Sequence, residues 1–449
     1  MTEDSKATPV ASSAAPDAPI KFGDGRRTDR LEHLDLQLKG HSIPISIKNI
    51  ATVLDGLAEW AGVLAYNEFS DQIIVLRPIP RSSGNPNLHK PRPLQDSDLT
   101  KTRMWFATRL NWFKVSKNDT FDAIDAVARE NVIAPVRLYL ESLEVMEAQE
   151  ATDFLAEVLN THFGLRRFNE HPDIIRFSAI AFRKWLISAV ARTFEPGCKA
   201  DHVLILEGGQ GAGKSTAVRI LCGDDVFGDS IPSLHTKDAM DYVRGKWIIE
   251  LAELSTISKA EVEHVKAYVT RTEEKFRPAY GRAEVTYQRR CVFVGTTNRT
   301  DYLRDETGNR RFWPVKVYNI DHDLIRRDRD RIWAAAVTLY RHDEQWWLTP
   351  EEAALAAKEQ AKRTMIDPLH EEVEQWLKEL GWPETCMAEL ARRFLPLGEE
   401  SATSQLTPQL QHRVRGALFA AGYESLGQRF TSGVNKGQTR FARVATELE

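Results

Sequence analysis

The feature that most constrains how this chain folds is a glycine-rich loop that follows a short apolar stretch. Residues 208–215 read GGQGAGKS and fit the pattern GxxxxGK[ST]. Residues 203–206 before the loop are apolar, as in a buried strand, and residues 216–221 after it have the pattern of a helix. Strand and helix patterns continue to alternate as far as residue 317, so the sequence predicts an α/β core with a parallel sheet.

Each residue type in this loop suits the binding of phosphate. Glycine lets the backbone N–H groups come close to an anion, and the N-terminus of the following helix adds a positive dipole. We expect Lys214 to contact the β- and γ-phosphates of ATP and Ser215 to bind Mg²⁺, so ATP and Mg²⁺ are the predicted cofactors. The predicted nucleotide site consists of Gly208, Gly209, Gln210, Gly211, Ala212, Gly213, Lys214, Ser215 and Thr216.

A second apolar stretch leads to two acidic residues. Residues 247–249 are predicted to form a buried strand that delivers Glu250, with Glu253 just beyond it. A nucleotide hydrolase with a P-loop needs one acid to hold the Mg²⁺ water shell and another to polarise the attacking water. We therefore predict that both are catalytic and that Glu250 is also a metal ligand. An adjacent Asp-Glu pair is absent, so the sequence leaves open which of the two is the base. A strand end with two solvated carboxylates is the alternative.

A third apolar stretch, residues 291–295, ends in Thr296, Thr297 and Asn298. A polar side chain at such a strand end can hydrogen-bond the γ-phosphate or the attacking water, and we predict this role for Asn298. Asn298 and Asp301 also resemble the guanine-reading NKxD motif. No DxxG segment follows the P-loop, so ATP is favoured over GTP.

Two adjacent arginines, Arg310 and Arg311, precede the aromatic and apolar residues 312–315. Those four residues would hold the arginines rigidly. We predict that one of them is an arginine finger that reaches the γ-phosphate bound by a neighbouring subunit. Ordinary surface charge is the alternative.

Changes in composition divide the 449 residues into four segments. Residues 1–30, rich in Ala, Ser, Pro and charge, predict a disordered tail. Residues 31–165 predict a mainly helical N-terminal domain with one β-hairpin. Residues 166–348 contain the motifs above and form the predicted P-loop ATPase domain. Residues 349–449 predict a linker helix and a C-terminal winged-helix-like domain that binds DNA.

The overall composition excludes several classes of protein. The four cysteines form no CxxC pair, so neither a zinc ribbon nor a disulfide framework is indicated. No apolar run reaches the ~20 residues of a membrane span, and no signal peptide is evident. We expect a cytoplasmic protein without a membrane partner. The net charge is −4, so contacts with DNA must come from local basic patches.

Several of these segments together resemble the virulence-associated E family, which is related to superfamily 3 helicases of viruses, phages and mobile elements. The resemblance is carried by WIIELAEL, EVEHVKAYVTRTEEKFRPAYGR, CVFVGTTN and DYLRDETGNRRFWPV, and it is specific from about residue 177 to residue 347. It implies an AAA+-like P-loop core that assembles into a ring. The positions of these residues in the family pattern imply the same roles as above. Residues 208–215 are the phosphate loop, Glu250 and Glu253 are the acids, Asn298 is the sensor, and Arg310 or Arg311 is the finger.

The resemblance also implies a DNA-gripping hairpin in a central pore. The residues that fall there are Lys275, Arg277, Tyr280 and Arg282. Residues 271–316 contain 11 basic and six acidic residues, a local excess of positive charge in an acidic protein. Tyr280 suits the tip of a turn, where its ring can stack on a base. An ordinary charged hairpin is the alternative.

Many family members carry a primase fused to the ATPase. Asp96 and Asp98 have the spacing of a metal-binding DxD pair. A helix N-cap with an acidic first turn is the better interpretation. We therefore expect that priming, where needed, comes from a separate protein.

The end of the chain predicts three short helices followed by a basic hairpin. The helices are expected at residues 368–380, 385–394 and 407–421, and the strands at residues 423–430 and 438–444. This order suggests a winged helix, which binds duplex DNA with a helix in the groove and a wing on the phosphates. A protein-interaction cap is the alternative. The predicted DNA contacts are Arg413 and Arg415 on the last helix and Arg429, Lys436, Arg440 and Arg443 on the hairpin.

The sequence thus predicts an ATP-dependent DNA helicase or translocase that forms a homo-hexamer or another ring. It would act on single-stranded and duplex DNA in the replication of a phage, prophage or genomic island. One alternative is a switch-type P-loop ATPase in phage defence or regulation, without processive unwinding. Another is a non-enzymatic origin-binding protein, against which the intact Lys214 and Ser215 argue.

Overall fold

The computed structural model describes most of the chain between residues 31 and 443. The residues outside this description are 1–30, 32, 41, 81–88, 166–169, 230, 232–235, 253–258, 278–283, 304–308, 365–367, 382–383, 395–407, 434 and 444–449. The chain forms two compact units. The first contains the described residues up to Asn298 together with residues 311–356, and the second contains residues 299–310 and those from 357 onwards.

The first part of the first unit combines three helices with a four-stranded sheet in the order β3-β2-β1-β4. β1 pairs antiparallel with β2, which confirms the predicted hairpin, and it pairs in parallel with β4. The sequence predicted mainly helix here, so the two short outer strands are additions. The elements are α1 (Ile47–Gly56), β1 (Leu64–Asn67), β2 (Gln72–Val75), β3 (Arg92–Pro93), α2 (Asp96–Leu110), α3 (Lys117–Glu130) and β4 (Val132–Ile133).

Asp98 in the first turn of α2 has a structural role, as predicted. Its carboxylate is fully buried and accepts two hydrogen bonds from the Arg92 guanidinium, at 2.7 and 2.8 Å, and one from the backbone N–H of Gln95 at 2.9 Å. Asp96 lies on the surface and pairs with Lys117. The two carboxylates therefore serve the start of the helix, and not a shared metal ion.

The second part of the first unit is built on a five-stranded, fully parallel sheet in the order β11-β5-β10-β7-β6. Its strands are mostly apolar and almost entirely buried, as expected for parallel strands covered by helices. This confirms the predicted α/β core. The strands are β5 (Val203–Glu207), β6 (Phe227–Gly228), β7 (Ile248–Leu251), β10 (Val292–Thr297) and β11 (Phe312–Lys316). The helices are α4 (Pro135–Glu141), α5 (Ala148–Thr161), α6 (Pro172–Phe194), α7 (Lys214–Cys222), α8 (Lys237–Tyr242), α9 (Lys259–Val269), α10 (His322–Arg341) and α11 (Pro350–Ala361), the last of which continues into the second unit.

Buried tryptophans tie the helices to the sheet. The indole N–H of Trp185 on α6 donates to the carbonyl of Phe293 in β10, at 2.8 Å. The indole N–H of Trp247, just before β7, donates to the carbonyl of Ala189 in α6, at 3.0 Å. These bonds satisfy the polar atom of each ring in the core, so the rings add apolar area without leaving a donor unpaired.

The described residues of the first unit include two separate apolar clusters. Residues between 31 and 128 supply one of them, and α4 to α7, α10 and the parallel sheet supply the other. The predicted limits of the four domains stay predictions. None of the helices in the described residues is long and apolar enough to cross a bilayer.

In its described part, the second unit contains the end of α11, three further helices and a three-stranded antiparallel sheet in the order β12-β14-β13. The helices and the hairpin strands occur where the sequence predicts them. The winged-helix assignment stays a prediction, and Thr407, the first residue of the last predicted helix, lies outside the described residues. The elements are α12 (Pro368–Leu380), β12 (Glu384–Thr385), α13 (Met387–Phe394), α14 (Pro408–Ala420), β13 (Tyr423–Arg429) and β14 (Thr439–Arg443).

Candidate functional site

The glycine-rich loop connects β5 to α7 at the carboxyl edge of the parallel sheet. Two of its glycines have no room for a side chain. A Cβ on Gly208 would lie 2.5 Å from the carbonyl oxygen of Val317, and a Cβ on Gly213 would lie 2.3 Å from Nε2 of His322. Gly213 also has φ +82°, which disfavours any L side chain. The loop therefore needs glycine at both positions to keep its path.

Lys214, the first residue of α7, crosses back over the loop. Its ammonium donates to the carbonyls of Gly208 at 2.7 Å and Gly209 at 2.9 Å. Burial lowers the pKa of the Lys214 ammonium, and the Glu250 carboxylate partly opposes that shift. A partly desolvated cation beside the free N–H groups at a helix start is well suited to binding phosphate oxygens.

Glu250 lies at the carboxyl end of β7 and is only 3% exposed. Its Oε1 accepts a hydrogen bond from the Ser215 hydroxyl at 2.6 Å and another from the Thr296 hydroxyl at 2.7 Å. The structure thus brings together two of the predicted residues, Ser215 and Glu250, from sequence positions 35 apart. Thr296 is the third member of this cluster.

The donor set of this cluster fits Mg²⁺. A carboxylate and a hydroxyl offer hard oxygen ligands, and Mg²⁺ in nucleotide sites takes only one or two protein carboxylates, with water and phosphate oxygens as its other ligands. No larger group of His, Cys, Asp or Glu side chains placed to hold a metal occurs among the described residues. Ser215 and Glu250 are therefore the candidate metal ligands.

The sequence alone predicts no role for Thr296. It predicts the contact with the γ-phosphate or the attacking water for Asn298, two residues further on. In the parallel ladder Val294 is the partner of Glu250, and side chains alternate along a strand, so Thr296 lies on the same face as Glu250. Asn298 follows the strand and is exposed. Strand alternation could have identified Thr296 if the register had been known.

His322 at the start of α10 is a further residue that sequence reasoning missed. Its Nε2 lies 3.0 Å from the carbonyl oxygen of Gly213. A carbonyl only accepts, so Nε2 carries the hydrogen in this contact. The imidazole therefore supports the last loop residue before Lys214. No sequence pattern links positions 109 residues apart, and only the packing of α10 brings them together.

The same helix also holds the other end of α7. The Arg329 guanidinium donates to the carbonyls of Leu221 at 3.0 Å and Cys222 at 3.3 Å, and the Trp333 indole donates to Leu221 at 2.8 Å. These donors satisfy carbonyls that a helix end leaves unpaired. With His322 at one end and Arg329 at the other, α10 fixes both the position and the tilt of the phosphate-loop helix.

The predicted DNA hairpin is present in its described part. β8 (Glu273–Phe276) and β9 (Val285–Gln288) pair antiparallel, with Lys275 on the exposed face and Arg277 exposed just after β8. The hydrogen bond with Glu273 raises the pKa of Lys275. The predicted residues Tyr280 and Arg282 lie outside the described residues, as does the predicted acid Glu253.

A buried ion pair holds the base of this hairpin. The Arg289 guanidinium, fully buried, contacts the equally buried Glu274 carboxylate and the carbonyl of Tyr268. The Tyr287 hydroxyl donates to the carbonyl of Phe69 at 2.7 Å. Removal of one partner of a buried ion pair leaves an uncompensated charge, so the base of the hairpin is strongly constrained.

The remaining predicted site residues are exposed or half-buried arginines and a lysine. Arg310 and Arg311 form a 3₁₀ turn with Asn309 directly before β11, Arg310 exposed and Arg311 half-buried. In the second unit, Arg413 and Arg415 are exposed on α14 and Lys436 is exposed between β13 and β14. Arg440 on β14 is engaged by the Glu384 carboxylate. Contact of Arg440 with a phosphate would therefore have to compete with this ion pair.

Comparison with known proteins gives one family match. The virulence-associated protein E-like domain matches residues 140–365, half of the chain, and contains the phosphate loop, Glu250, the β8–β9 hairpin and the paired arginines. No curated protein matches the chain.

The chain also has low similarity to solved structures. The A form apo structure of the NrS-1 C terminal region is 12% identical, with a TM-score of 0.41, over 85% of this chain and 96% of that chain. The X-ray structure of JCV Helicase is 12% identical, with a TM-score of 0.27, over 76% of this chain and 99% of that chain. The family match, and not these similarities, identifies the chain.

Thr296→Val should weaken the response to Mg²⁺, because it removes one of the two hydroxyls that orient Glu250 while keeping the side-chain shape. We expect the Mg²⁺ concentration for half-maximal ATP hydrolysis to rise by about ten- to a hundredfold, as for other residues that orient a metal ligand. Thr296→Ser keeps the hydroxyl and is the matched control. A Val variant with the wild-type Mg²⁺ dependence would show that Thr296 does not position Glu250.

His322→Ala should raise the KM for ATP by a few fold, because the Gly213 carbonyl loses a hydrogen bond of ordinary strength. His322→Gln can still donate an N–H to that carbonyl and should retain most of the affinity. The measurement is steady-state hydrolysis at saturating Mg²⁺, with KM and kcat determined separately. Equal KM values in all three proteins would exclude a role for His322 in shaping the phosphate loop.

Proposed function

The chain belongs to the family of virulence-associated protein E-like domains, and from this premise we propose that it is a DNA helicase or translocase driven by ATP hydrolysis. In this proposal it is of the superfamily 3 type, forms a ring and acts in the replication of a phage, prophage or genomic island. The observation that carries the proposal is the hydrogen-bonded cluster of Ser215, Glu250 and Thr296 next to the glycine-rich loop.

The proposed chemistry at this cluster is phosphate-bond hydrolysis. The loop N–H groups and Lys214 would bind the β- and γ-phosphates, and Ser215 and Glu250 would hold Mg²⁺. When bound, Mg²⁺ would supply charge stabilisation for the phosphoryl group in transfer. Because one oxygen of Glu250 already accepts two hydroxyl hydrogen bonds, we assign Glu250 to the metal and water activation to Glu253. Asn298 remains the proposed sensor of the γ-phosphate.

The proposed single-strand contact is the β8–β9 hairpin. A pore loop must transmit force between the ATPase core and DNA, and the buried pair of Arg289 and Glu274 gives this hairpin a rigid base. Lys275 and Arg277 would contact phosphates, Tyr280 would stack on a base, and Arg282 would add charge at the tip.

The proposed duplex contact is the second unit. Its element order, helix, strand, two helices and two strands, supports a winged-helix assignment. In this proposal Arg413 and Arg415 on α14 would approach the groove, and Lys436 and Arg440 would be wing contacts. Arg440 is paired with Glu384, so its contact with a phosphate would have to replace that ion pair.

The position of the arginine pair supports the proposal that the chain forms a ring. Arg310 and Arg311 stand at the start of β11, which pairs with the phosphate-loop strand β5. Their turn is therefore anchored to the sheet while Arg310 is exposed. A finger acts on ATP bound by an adjacent subunit, so the complete site would exist only at an interface between subunits.

Lys214→Ala should abolish ATP hydrolysis, and Glu250→Gln should abolish turnover while nucleotide binding is retained. The first variant loses the phosphate contact, whereas the second loses only a negative charge. Hydrolysis can be followed by phosphate release and binding by a fluorescent ATP analogue, with and without single-stranded DNA. Normal hydrolysis by Lys214→Ala would refute the phosphate-loop assignment. Hydrolysis without strand displacement on a forked duplex would favour the switch-type ATPase.

Mixing of inactive variants tests the shared site. Arg310→Ala or Arg311→Ala should lower the rate by about 10³- to 10⁵-fold if that residue is the finger. When such a variant is mixed with Lys214→Ala, some interfaces combine an intact loop with an intact arginine, and hydrolysis should return. We expect this rescue for at least one arginine, with Arg310 favoured because it is the more exposed.

The control mixture is Lys214→Ala with Glu250→Gln. Both residues belong to the same side of the interface, so no interface in this mixture has a complete site and activity should stay absent. If the arginine mixture is equally inactive, in subunits shown to co-assemble, the shared site is refuted.

A further inference from the structure

A stretch of the N-terminal part, residues 100–117, is strongly basic and has no role in the site described above. It contains five Lys or Arg residues and no acidic residue, in a protein whose net charge is −4. Four aromatic residues are interleaved with these charges. The stretch covers most of α2 and the loop that leads to α3.

The loop after α2 is folded back firmly and presents one aromatic ring to solvent. Asn111 adopts the left-handed conformation, with φ 58°, and ends the helix. The next residue, Trp112, is buried and stacks on Phe106 at 5.5 Å between ring centroids. The Arg103 guanidinium donates to the carbonyl of Val115 at 2.8 Å. These contacts leave Phe113 71% exposed on an otherwise fixed loop.

An open pocket of about 230 Å³ lies between Phe113 and one face of α2. The helix contributes Thr100, Arg103, Met104 and Ala107, at the spacing of a single helical stripe. Met104 is 62% exposed. The pocket therefore has an aromatic wall, an aliphatic wall and a cation at its edge. This shape and chemistry suit a planar aromatic ligand.

The charges around this pocket can engage an anion. Within the part of the chain that the structure describes, Lys114 forms no ion pair. Lys101 lies 3.9 Å from Asp98, whose carboxylate is already held by Arg92, and Lys117 pairs with the well-exposed Asp96. The Lys101 contact of 3.9 Å is longer than a hydrogen bond, and the exposed Lys117–Asp96 pair is screened by salt, so both lysines can turn to phosphates at small cost.

We propose that this face of α2, with Phe113 and Lys114 at its centre, binds single-stranded DNA. One base stacks on the Phe113 ring in the pocket, and the flanking phosphates contact Lys114 and Lys101. Bases of any sequence can stack in this way, so the contact is sequence-tolerant. The inference goes beyond the proposed motor, because this second contact with the strand requires neither ATP nor a ring.

Phe121 on α3 offers a matched control for Phe113. It is also an exposed aromatic residue of the N-terminal part, 45% exposed, but Asp119 and Asp122 flank it in sequence. Replacement by Ala removes the same atoms at both positions, and both rings lie on the surface, so we expect only a small effect on stability in each variant. Phe121 lacks the basic surroundings and the pocket of Phe113.

The test uses the full chain without nucleotide and a fluorescent oligo-dT, with binding followed by anisotropy across a salt series. Phe113→Ala should weaken binding by about tenfold, the typical effect of one lost stacking contact. Lys114→Ala should weaken binding. It should also make the plot of the logarithm of the binding constant against the logarithm of the salt concentration less steep, by about the contribution of one phosphate contact. Phe121→Ala should bind as the wild type does.

Photo-crosslinking separates this site from the other proposed DNA contacts. With 5-iodouracil in the oligonucleotide, we expect a crosslinked peptide that contains Phe113, and its loss in Phe113→Ala. A double variant, Lys275→Ala with Arg277→Ala, removes two of the positive charges of the β8–β9 hairpin. If the Phe113 crosslink is retained in this variant, the site on α2 binds DNA independently of these hairpin charges. The inference is overturned by crosslinks confined to other segments, or by equal binding in the wild type, Phe113→Ala and Phe121→Ala. It is also overturned if Phe113→Ala changes self-association and not DNA binding, because the surface would then be an apolar contact between copies.

Discussion

The pairing of β5 with β10, and of β10 with β7, is the interaction on which the candidate nucleotide site depends. In this register Thr297 lies beside Glu207, the last residue before the glycine-rich loop, and Val294 lies beside Glu250. The carboxyl ends of three strands therefore meet at one level. A shift by one residue would turn the Glu250 side chain to the opposite face of the sheet. The hydrogen bonds of Glu250 with Ser215 and Thr296 would then be impossible.

Local features of the chain were predictable because they depend on residues close in sequence. The spacing of apolar residues, together with glycine or proline at the ends, is enough to predict several elements. These are the strand, loop and helix around Lys214, the long helix α6 and the helices of the second unit. The roles of Thr296 and His322 were not predictable, because each depends on contact with a residue far away in the chain. The two-residue strands β3 and β4 are too short to leave a pattern.

The charged run in α10 shows how a sequence pattern can mislead. Residues 326–331 read RRDRDR, a composition typical of a solvated surface. In the fold, the Tyr139 hydroxyl donates to Asp330 at 2.6 Å, and His162 lies 2.8 Å from Asp328. Hydrogen bonds from Arg327 and His162 lower the pKa of Asp328 to about 2, against the opposing effect of burial. The run thus connects α4 and α5 to the helix that holds the phosphate loop.

The second unit is not continuous in sequence, and this has a consequence for synthesis on the ribosome. Residues 299–310 belong to it, and Leu303 donates its N–H to the carbonyl of Arg363 at 3.0 Å. The segment leaves the ribosome before the residues from 357 onwards that complete its unit. Translation proceeds at about 5–20 residues per second. Tyr302 and Leu303, which are buried in the folded chain, therefore stay exposed for several seconds until the rest of their unit has been synthesised. During that interval the nascent chain presents apolar surface next to Arg310, where a chaperone or a neighbouring nascent chain can bind it.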